Sequence, residues 1–396
     1  MPLIHLSDMI NHAYRHNYAV GAFGVASLNF LEGIMQAAEN CRSPVVLNLI
    51  ESHFNKYDFE LLMPAVLAAA RRATVPVAIN FDHGADIASA ERAIRAGCNG
   101  VMVDTSALPL SDNLWQTRDI VTMAHACGVT VEGELGYVPG VEGDNAKDHP
   151  GELTYTSAAE AAGFVERTGV DCLAISIGTV HGRMKGTPKL DYARLAKIRE
   201  ATSVPLVIHG GTGLTDDQFR RLIAHGIAKI NYYTGLADAA GLRIKENLGG
   251  KRKGSHSALF AGIRDAVREE TERCLRLWGC GGRAAEVLAQ CRPWQEVEHI
   301  VLYNIPDTLT ENEIALMLHD GKKLMADIPG VRDIRTSRNL QPNGKFRYCL
   351  SVRLASPAVL ETYQNHPAQM HFLNKILRPA ITDHVTLNLA ENPSTG

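Results

Sequence analysis

The sequence lacks several features that would set it apart from an ordinary globular enzyme. Its eight cysteines form no CxxC pair, which argues against a zinc ribbon or a dithiol redox centre. No run of about 18 apolar residues is present to span a membrane, and the N-terminal segment has no apolar core of the signal-peptide kind. The formal net charge of −3 gives no strong field for nucleic acid or an anionic membrane surface. We therefore expect a cytoplasmic protein with reduced thiols that binds neither nucleic acid nor membrane.

Over the first 240 residues, short β-branched segments alternate with longer helical ones, which predicts repeated βα units around a parallel sheet. Eight such strands close most naturally into a (β/α)₈ TIM barrel. The alternative is a doubly wound open sheet, which normally carries a glycine-rich nucleotide loop after its first strand, where this chain has AFGVASLN. The predicted strands cover residues 18–23, 44–49, 75–81, 100–103, 130–133, 172–177, 205–209 and 228–231.

A different pattern begins at Val297, where strands and helices follow the β-α-β-β-α-β order of a ferredoxin-like fold. A single helix is predicted before it, from Ser257 to about Trp278. It follows a basic run at 249–256 that we interpret as a solvated loop and not as a nucleic-acid site. We expect a barrel domain over 1–288, a linker over 289–296 and an α+β ferredoxin-like domain over 297–396.

Three histidines follow three different barrel strands at their C-terminal ends, the edge where barrel enzymes carry their active sites. His83 lies in NFDHGAD, His181 in AISIGTVHG and His209 in VIHGGTG. A single histidine in such a place would more often be structural. Three imidazoles that converge on one point describe a catalytic zinc site with an open position. The pattern therefore predicts Zn²⁺, or another divalent metal, at these residues.

Carboxylates accompany the histidines. Asp82 directly precedes His83 and could exchange a proton with the substrate. Glu134, at the end of the fifth strand, could be a further metal ligand or could orient one. Glu142 lies in the segment Tyr137–Thr156, whose length indicates a functional loop, and could act as a general base when that loop closes. For each carboxylate taken alone, an ordinary salt bridge is the alternative.

An anion site is predicted beside the histidines. The segment GGTG, residues 210–213, exposes consecutive backbone N–H groups at the start of a helix. Asn231 and Thr234 add side-chain donors after the eighth strand. Phosphate sites formed by the loops after strands seven and eight recur in barrel enzymes, so this placement favours a phosphorylated substrate.

These segments resemble the class II fructose-bisphosphate and tagatose-bisphosphate aldolase family over residues 1–285. The matching motifs, in family order, are VGAF, SPVVLN, FDHG, AGCNGVMVDTS, VEGELG, TGVDCLAISIGTVHG, VPLVIHGGTGL and GIAKIN. The resemblance implies retro-aldol cleavage of a ketose phosphate, or a related sugar, to dihydroxyacetone phosphate or a similar ketone plus an aldehyde. It implies Zn²⁺ on the three histidines with Glu134 nearby, and proton exchange by Asp82 at the C4 hydroxyl and by Glu142 at C3. The residues implied for the C1 phosphate are Gly182, Lys185, Gly210, Gly211, Thr212, Asn231 and Thr234.

The chain departs from the family pattern on one side of the pocket. Gly24 stands where the family usually has Asn, Ile50 where it has Ser or Thr, and Tyr233 replaces a small or acidic residue. The resemblance assigns the region of Gly24 and Ile50 to the aldehyde side of the substrate, whereas Tyr233 lies between the two residues implied for the phosphate, Asn231 and Thr234. We therefore expect a substrate other than fructose 1,6-bisphosphate, with an acid, a shorter sugar or a non-phosphorylated aldehyde as alternatives.

Residues 297–390 resemble the stress-responsive α/β-barrel domain, a dimeric ferredoxin-like fold, through EHIVLYNI, IPGV and YQNHPAQMHF. Such domains commonly dimerise sheet to sheet, which implies a homo-oligomer. Plant polyketide cyclases of this fold use a histidine where this chain has Gln369, so we expect the domain to serve assembly or to cover the barrel mouth. His299 and His366 are the alternative candidates for polar pocket residues.

Two other function classes compete with the aldolase. A metal-dependent barrel hydrolase would usually carry an HxH pair after its first strand, and this chain has none there. A non-catalytic barrel within an assembly would not need a full set of metal-binding and acid–base residues. Both are disfavoured on these grounds.

Overall fold

A computed structural model describes residues 2–145, 154–183, 188–249, 255–341 and 343–390. The chain forms two compact units. One comprises Met1–Ala90, Cys98–Thr122 and Thr130–Pro293, and the other comprises Glu91–Gly97, Met123–Val129 and Trp294–Gly396. Within the ranges described, no helix is both long enough and apolar enough to cross a membrane.

Eight parallel strands of the first unit close into a barrel, which confirms the predicted TIM-barrel architecture. Its strands are β1 (Val20–Gly24), β2 (Val45–Ile50), β3 (Val77–Gly84), β4 (Gly100–Val103), β5 (Thr130–Leu135), β7 (Cys172–Ile175), β9 (Leu206–Ile208) and β10 (Ile227–Tyr232). The order around the barrel is β1, β10, β9, β7, β5, β4, β3, β2, so the first strand of the chain pairs with the last barrel strand. Almost every residue of these strands is buried, as expected when helices cover a parallel sheet.

The helices of the first unit are α1 (Leu6–Arg15), α2 (Leu28–Cys41), α3 (Phe59–Arg72), α4 (Ile87–Ala96), α5 (Leu110–Ala126), α6 (Ala158–Thr168), α7 (Tyr192–Ala201), α8 (Asp216–Ala224), α9 (Thr234–Leu248), α10 (His256–Leu259), α11 (Ile263–Leu277) and α12 (Ala284–Gln290). Side-chain caps fix several starts: Thr215 and Gln218 form a capping box at α8. The prediction of one helix over 257–278 is wrong. Gly262, with a left-handed φ of 71°, separates α10 from α11.

Two short strands lie outside the barrel. These are β6 (Gly140–Asn145) and β8 (His181–Arg183), and they pair in parallel. The segment Tyr137–Thr156, expected to be a loop, therefore begins with a strand, and its ends are joined by a bridge between Tyr137 and Thr154. A Cβ at Gly140 would lie 2.2 Å from the carbonyl oxygen of His181, so glycine permits the close approach of the two strands.

The second unit contains an antiparallel sheet and confirms the predicted ferredoxin-like order. Its elements are β11 (Val297–Asn304), α13 (Glu311–Ala326), β12 (Val331–Arg338), β13 (Tyr348–Leu354), α14 (Val359–Asn365), α15 (Pro367–His371), a π-helical segment (Phe372–Leu377), α16 (Arg378–Ala380) and β14 (Asp383–Ala390). The sheet order is β12, β13, β11, β14. Alternate residues of β11 are buried, as in a sheet with one covered face, whereas every residue of β14 is exposed.

Candidate active site

The barrel brings the three predicted histidines together at the C-terminal ends of its strands. His83 lies near the end of β3, His181 opens β8 beyond the sixth barrel strand, and His209 directly follows β9. The ring centroid of His83 lies 4.8 Å from that of His181 and 4.9 Å from that of His209. His83 adopts a left-handed φ of 52°, a conformation that is uncommon for non-glycine residues.

One nitrogen of each ring is held by a separate acceptor. Nδ1 of His83 lies 3.0 Å from Oδ2 of Asp104, and Nδ1 of His181 lies 2.9 Å from the carbonyl oxygen of Val138. Nε2 of His209 lies 2.8 Å from Oε1 of Glu132. Metal-binding histidines usually donate their second N–H in this way, which fixes the tautomer and the ring orientation.

The remaining nitrogens converge. Nε2 of His181 lies 3.4 Å from Nδ1 of His209, and the three rings each offer one ligand atom, all within 4.8 Å of one another. Three imidazole nitrogens at this spacing suit a catalytic zinc ion, which takes three protein ligands and keeps a fourth position open.

Glu134 supplies a buried oxygen at the same point. Within the described residues its Oε2 has no hydrogen-bond donor of good geometry and lies 3.2 Å from Nδ1 of His209, while Oε1 accepts a bond of 3.3 Å from the Ser106 hydroxyl. A buried carboxylate oxygen without a donor is costly unless a cation is near it. Glu134, His83 and Asp104 also form a second cluster with metal-ligand spacing. These residues therefore fit a divalent metal.

Together, burial and neighbouring charges raise the pKa of His83 and lower that of His181. Burial opposes protonation of His83, but the charge of Asp82 and the hydrogen bond to Asp104 outweigh it and raise its pKa to about 9. Burial lowers the pKa of His181 to about 4, and the charge of His83 adds to this effect. At neutral pH, His181 is already in the neutral form that a metal requires.

His209 lies between two buried carboxylates. Burial opposes its protonation, but Glu132 and Glu134 raise its pKa well above the ordinary value. Burial also opposes ionisation of Glu132, yet the charge of Lys229 and the bond from His209 lower its pKa to about 2. The centre thus carries negative charge that protons balance when no metal is bound, and a divalent cation can take their place.

Lys229 was missed by sequence reasoning. It is completely buried, and its Nζ donates to Oε2 of Glu132 and to Oδ1 of Asn231, at 2.6 Å in both cases. Through these two bonds it joins the carboxylate that holds His209 to the amide that holds Asp82. A lysine within the apolar strand pattern of GIAKIN was the available signal, because alternation along a strand places Lys229 and Asn231 on the same side.

Asp82 is buried and held by amides from two other strands. Asn48 Nδ2 donates to its Oδ2 at 2.7 Å, and Asn231 Nδ2 lies 3.1 Å from both of its oxygens. Asn80 in turn donates to Oδ1 of Asn48 at 2.8 Å. The carboxylate is therefore fixed in position beside the histidines.

The described residues among those expected at the C1 phosphate lie in or directly after β8, β9 and β10. Gly182 is in β8, and Gly210 and Gly211 follow His209. Oγ1 of Thr212 accepts a bond of 3.0 Å from the backbone nitrogen of Gly235, beside Thr234 at the start of α9. Asn231 lies between this region and Asp82. Lys185 lies outside the described residues, and Glu142 is part of β6 but its side chain is outside the described part as well.

Comparison with known proteins agrees with this geometry. The family model "Fructose-bisphosphate aldolase class-II" matches residues 4–283. The chain belongs to the class II fructose-bisphosphate aldolase family. A second model, "Stress Responsive A/B Barrel Domain", matches residues 297–389. Both resemblances seen in the motifs are therefore confirmed.

Individual relatives cover the barrel part of the chain. The fructose-bisphosphate aldolase of Geobacillus stearothermophilus is 38% identical over 290 residues, which is 72% of this chain and 100% of that protein. That of Thermus caldophilus is 37% identical over 301 residues, covering 70% and 98%. The crystal structure of the YdjI aldolase from Escherichia coli K12 aligns with a TM-score of 0.63 and 33% identity, over 71% of this chain and 99% of that one.

Proposed function

We propose that this class II aldolase is zinc-dependent and cleaves a ketose 1-phosphate between C3 and C4, giving dihydroxyacetone phosphate and an aldehyde. The observation that carries the proposal is the set of three histidine nitrogens that converge beside the buried Asp82, each ring oriented by its own acceptor. His83, His181 and His209 would hold the metal, with Glu134 as a further ligand or as the carboxylate that neutralises it. When bound, zinc supplies Lewis acidity that polarises the ketone carbonyl.

The protein's own groups move the protons. Asp82 accepts the proton of the C4 hydroxyl while C4 becomes the aldehyde carbon and the C3–C4 bond breaks. The electron pair of that bond passes to C3 and is delocalised onto the ketone oxygen. Glu142 then delivers a proton to C3, which releases dihydroxyacetone phosphate. The amides of Asn48 and Asn231 keep Asp82 at its place during both directions of the reaction.

The phosphate of the ketose would be bound in the loops after β8, β9 and β10. Backbone N–H groups of the glycine-rich segment and the start of α9 offer donors to a dianion. The residues that we assign to this role are Gly182, Lys185, Gly210, Gly211, Thr212, Asn231 and Thr234. The partner is accordingly a small sugar phosphate.

Two measurements test the proposal. The zinc-loaded protein should catalyse exchange of one C3 hydrogen of dihydroxyacetone phosphate with deuterated solvent, observed by proton NMR without any aldehyde present. The variant His181→Ala should lose most of its bound zinc in elemental analysis. Absence of exchange in the wild-type protein, or full zinc occupancy in the variant, would contradict the assignment.

We also propose that the ferredoxin-like unit forms a homo-oligomer by pairing with a second copy of itself. Val385, Leu387 and Leu389 alternate along β14 and are 37%, 41% and 48% exposed. Ile300 and Leu302 of β11 lie opposite two of them in the register and share their face. An apolar sheet face of this kind is normally covered, and a two-fold axis would cover both copies at once.

All eight cysteines are free, which suits a cytoplasmic enzyme.

A further inference from the structure

Tyr233 occupies space that Gly24 leaves open. An ideal Cβ at Gly24 would lie 2.7 Å from Cδ2 and 2.8 Å from Cβ of Tyr233, closer than real side-chain contacts allow. Gly24 does not adopt a left-handed φ, so its backbone would accept another residue. The reason for glycine here is therefore room for the tyrosine. The two departures from the family pattern, Gly24 and Tyr233, are therefore linked, because the tyrosine ring and an asparagine side chain at position 24 cannot both be accommodated.

The Tyr233 ring packs over Gly24 and contacts the ring of His53. Their ring centroids are 4.4 Å apart with an interplanar angle of 56°. His53 ends the short 3₁₀ turn Glu51–His53 after β2 and is 1% exposed. Neither of its ring nitrogens has a hydrogen-bond partner in the described protein. Two unpartnered polar atoms in one buried ring are rare in folded proteins and require a polar partner that the described residues do not supply.

This aromatic pair lies beside the reaction centre. In the barrel, Gly24 pairs with Asn48, whose amide holds Asp82, and Ile50 pairs with Asp82 itself. The carboxylate of Asp82 is close enough to act electrostatically on His53. The pair therefore lies beside Asp82, on the side of the site where the proposed C4 fragment would leave, and Tyr233 lies in the chain between the phosphate-assigned Asn231 and Thr234.

Within the described residues, the buried groups of the pair suit a hydroxyl or carbonyl better than a second phosphate. Burial, with the charge of Lys56, lowers the pKa of His53 to about 4, so the ring is neutral at physiological pH. Lys56 itself is exposed. Nε of Arg183, the cation near Tyr233, donates to both oxygens of Asp238 at 2.7 and 3.0 Å. A phosphate needs cations or a run of N–H groups that are available to it, whereas a neutral imidazole offers one donor and one acceptor, which match a hydroxyl or carbonyl.

We propose that His53 and the Tyr233 ring, which Gly24 allows to pack over β1, form a subsite for an uncharged hydroxyaldehyde, so that the natural substrate carries a phosphate at C1 and none at its other end. His53 hydrogen-bonds a hydroxyl of the aldehyde fragment, and the tyrosine ring packs against its C–H groups. Glyceraldehyde 3-phosphate and its longer phosphorylated analogues are disfavoured there. This inference rests on the aldolase function proposed above and assigns its aldehyde half.

The test measures aldol synthesis by the zinc-loaded, full-length protein. Dihydroxyacetone phosphate is supplied with either D-glyceraldehyde or D-glyceraldehyde 3-phosphate, and kcat/KM is determined for each aldehyde. We expect the uncharged aldehyde to be favoured by at least about tenfold, equivalent to ~1.4 kcal/mol. Deuterium exchange into dihydroxyacetone phosphate is measured in parallel. If exchange occurs and the phosphorylated aldehyde is preferred, this inference is overturned while the proposed function stands. If exchange is absent, both this inference and the proposed aldolase function are refuted.

Matched variants of His53 separate hydrogen bonding from packing. His53→Phe keeps a ring against Tyr233 but removes both nitrogens, and it should lower kcat/KM for glyceraldehyde by about five- to tenfold, the effect of one lost hydrogen bond. His53→Gln restores a donor and an acceptor and should recover part of the loss. Equal values for the wild-type protein and His53→Phe would refute the role of the imidazole. Zinc content shows whether each variant retains its site.

Gly24→Ala tests the other half of the subsite. The added methyl group must displace the Tyr233 ring, and we expect the preference for glyceraldehyde over its phosphate ester to fall. A preference identical to that of the wild-type protein would show that the ring does not shape the aldehyde site.

Discussion

Lys229→Met is the most informative single change in the buried network, because methionine keeps an unbranched side chain, one atom shorter, and removes the charge and the donors. Lys229 is completely buried and donates to Glu132 and to Asn231. Removing one partner of a buried ion pair costs about 3–5 kcal/mol, since the other charge stays behind without compensation. The carboxylate left behind is the one that orients His209. Loss of such support for a metal ligand typically lowers metal affinity by about 10- to 100-fold.

The loss of folding stability in Lys229→Met should depend on pH in a way that follows from the pKa values of Glu132 and Lys229. The pKa of Glu132 is lowered to about 2 in the folded protein, so its contribution to stability is complete above the ordinary value of about 4.3 and is lost as pH falls toward 2. The pKa of Lys229 is raised, because the charge of Glu132 outweighs burial, so its contribution is present below about pH 10.4 and lost above the raised value. The difference in the free energy of unfolding between the wild-type protein and Lys229→Met should therefore be constant between about pH 5 and 9.

The assay is competition for zinc against a chelating dye at neutral pH, with circular dichroism to verify that the barrel is folded. Lys197→Met, at an exposed position on α7, is the matched control. A double variant with Glu132→Gln removes both charges, so its loss of stability should be smaller than the sum of the two single losses. If Lys229→Met binds zinc as tightly as Lys197→Met, the lysine does not support the metal site. If the double variant is additive, the ion pair has no coupling.

Three further outcomes are expected. Asp82→Ala should retain zinc but lose cleavage of a ketose 1-phosphate by about 100-fold or more, the usual size of a general acid–base contribution, and near-normal turnover would remove it from the mechanism. Zinc uptake at pH 7.5, followed by calorimetry in buffers of different ionisation enthalpy, should release one proton each from His83 and His209, because the pKa of each is raised. Uptake without proton release would contradict this. Leu387→Glu should lower the particle mass in light scattering, whereas Leu340→Glu, at a position 92% exposed in a loop, should not, and an unchanged mass for both would refute assembly through the β14 face.

The positions of the three histidines could be foreseen because they depend on topology alone. In a parallel barrel every strand ends at the same rim, so a polar residue after any strand must lie there. Asp82 and the glycine-rich loop after His209 follow from the same rule. The fold of the second unit could also be predicted, because its helix Glu311–Ala326 begins at a capping box and its strands alternate between apolar and polar residues.

The sequence could not show which polar groups meet inside the barrel. Lys229 has one partner, Asn231, on its own strand, but the other, Glu132, comes from β5, and only closure of the barrel brings these two strands together. His53 lay in an unremarked turn, and its contact with Tyr233 depends on the absence of a side chain at Gly24 on the intervening strand. The strand β6 was also missed, since its residues are polar and its pairing partner is far along the chain.

Closure of the barrel by β1 and β10 also determines when the buried network of the site can form. Asn231 and Asp82 are 149 positions apart, and Lys229 and Glu132 are 97 positions apart. A chain emerging from the ribosome therefore presents its first histidine long before the groups that fix the tautomers and neutralise the carboxylates are available. Contacts of such long range form late in folding. The buried network around Asp82 and Glu132 is thus complete only when the barrel has closed, and the metal that we propose would meet all of its supporting groups only then.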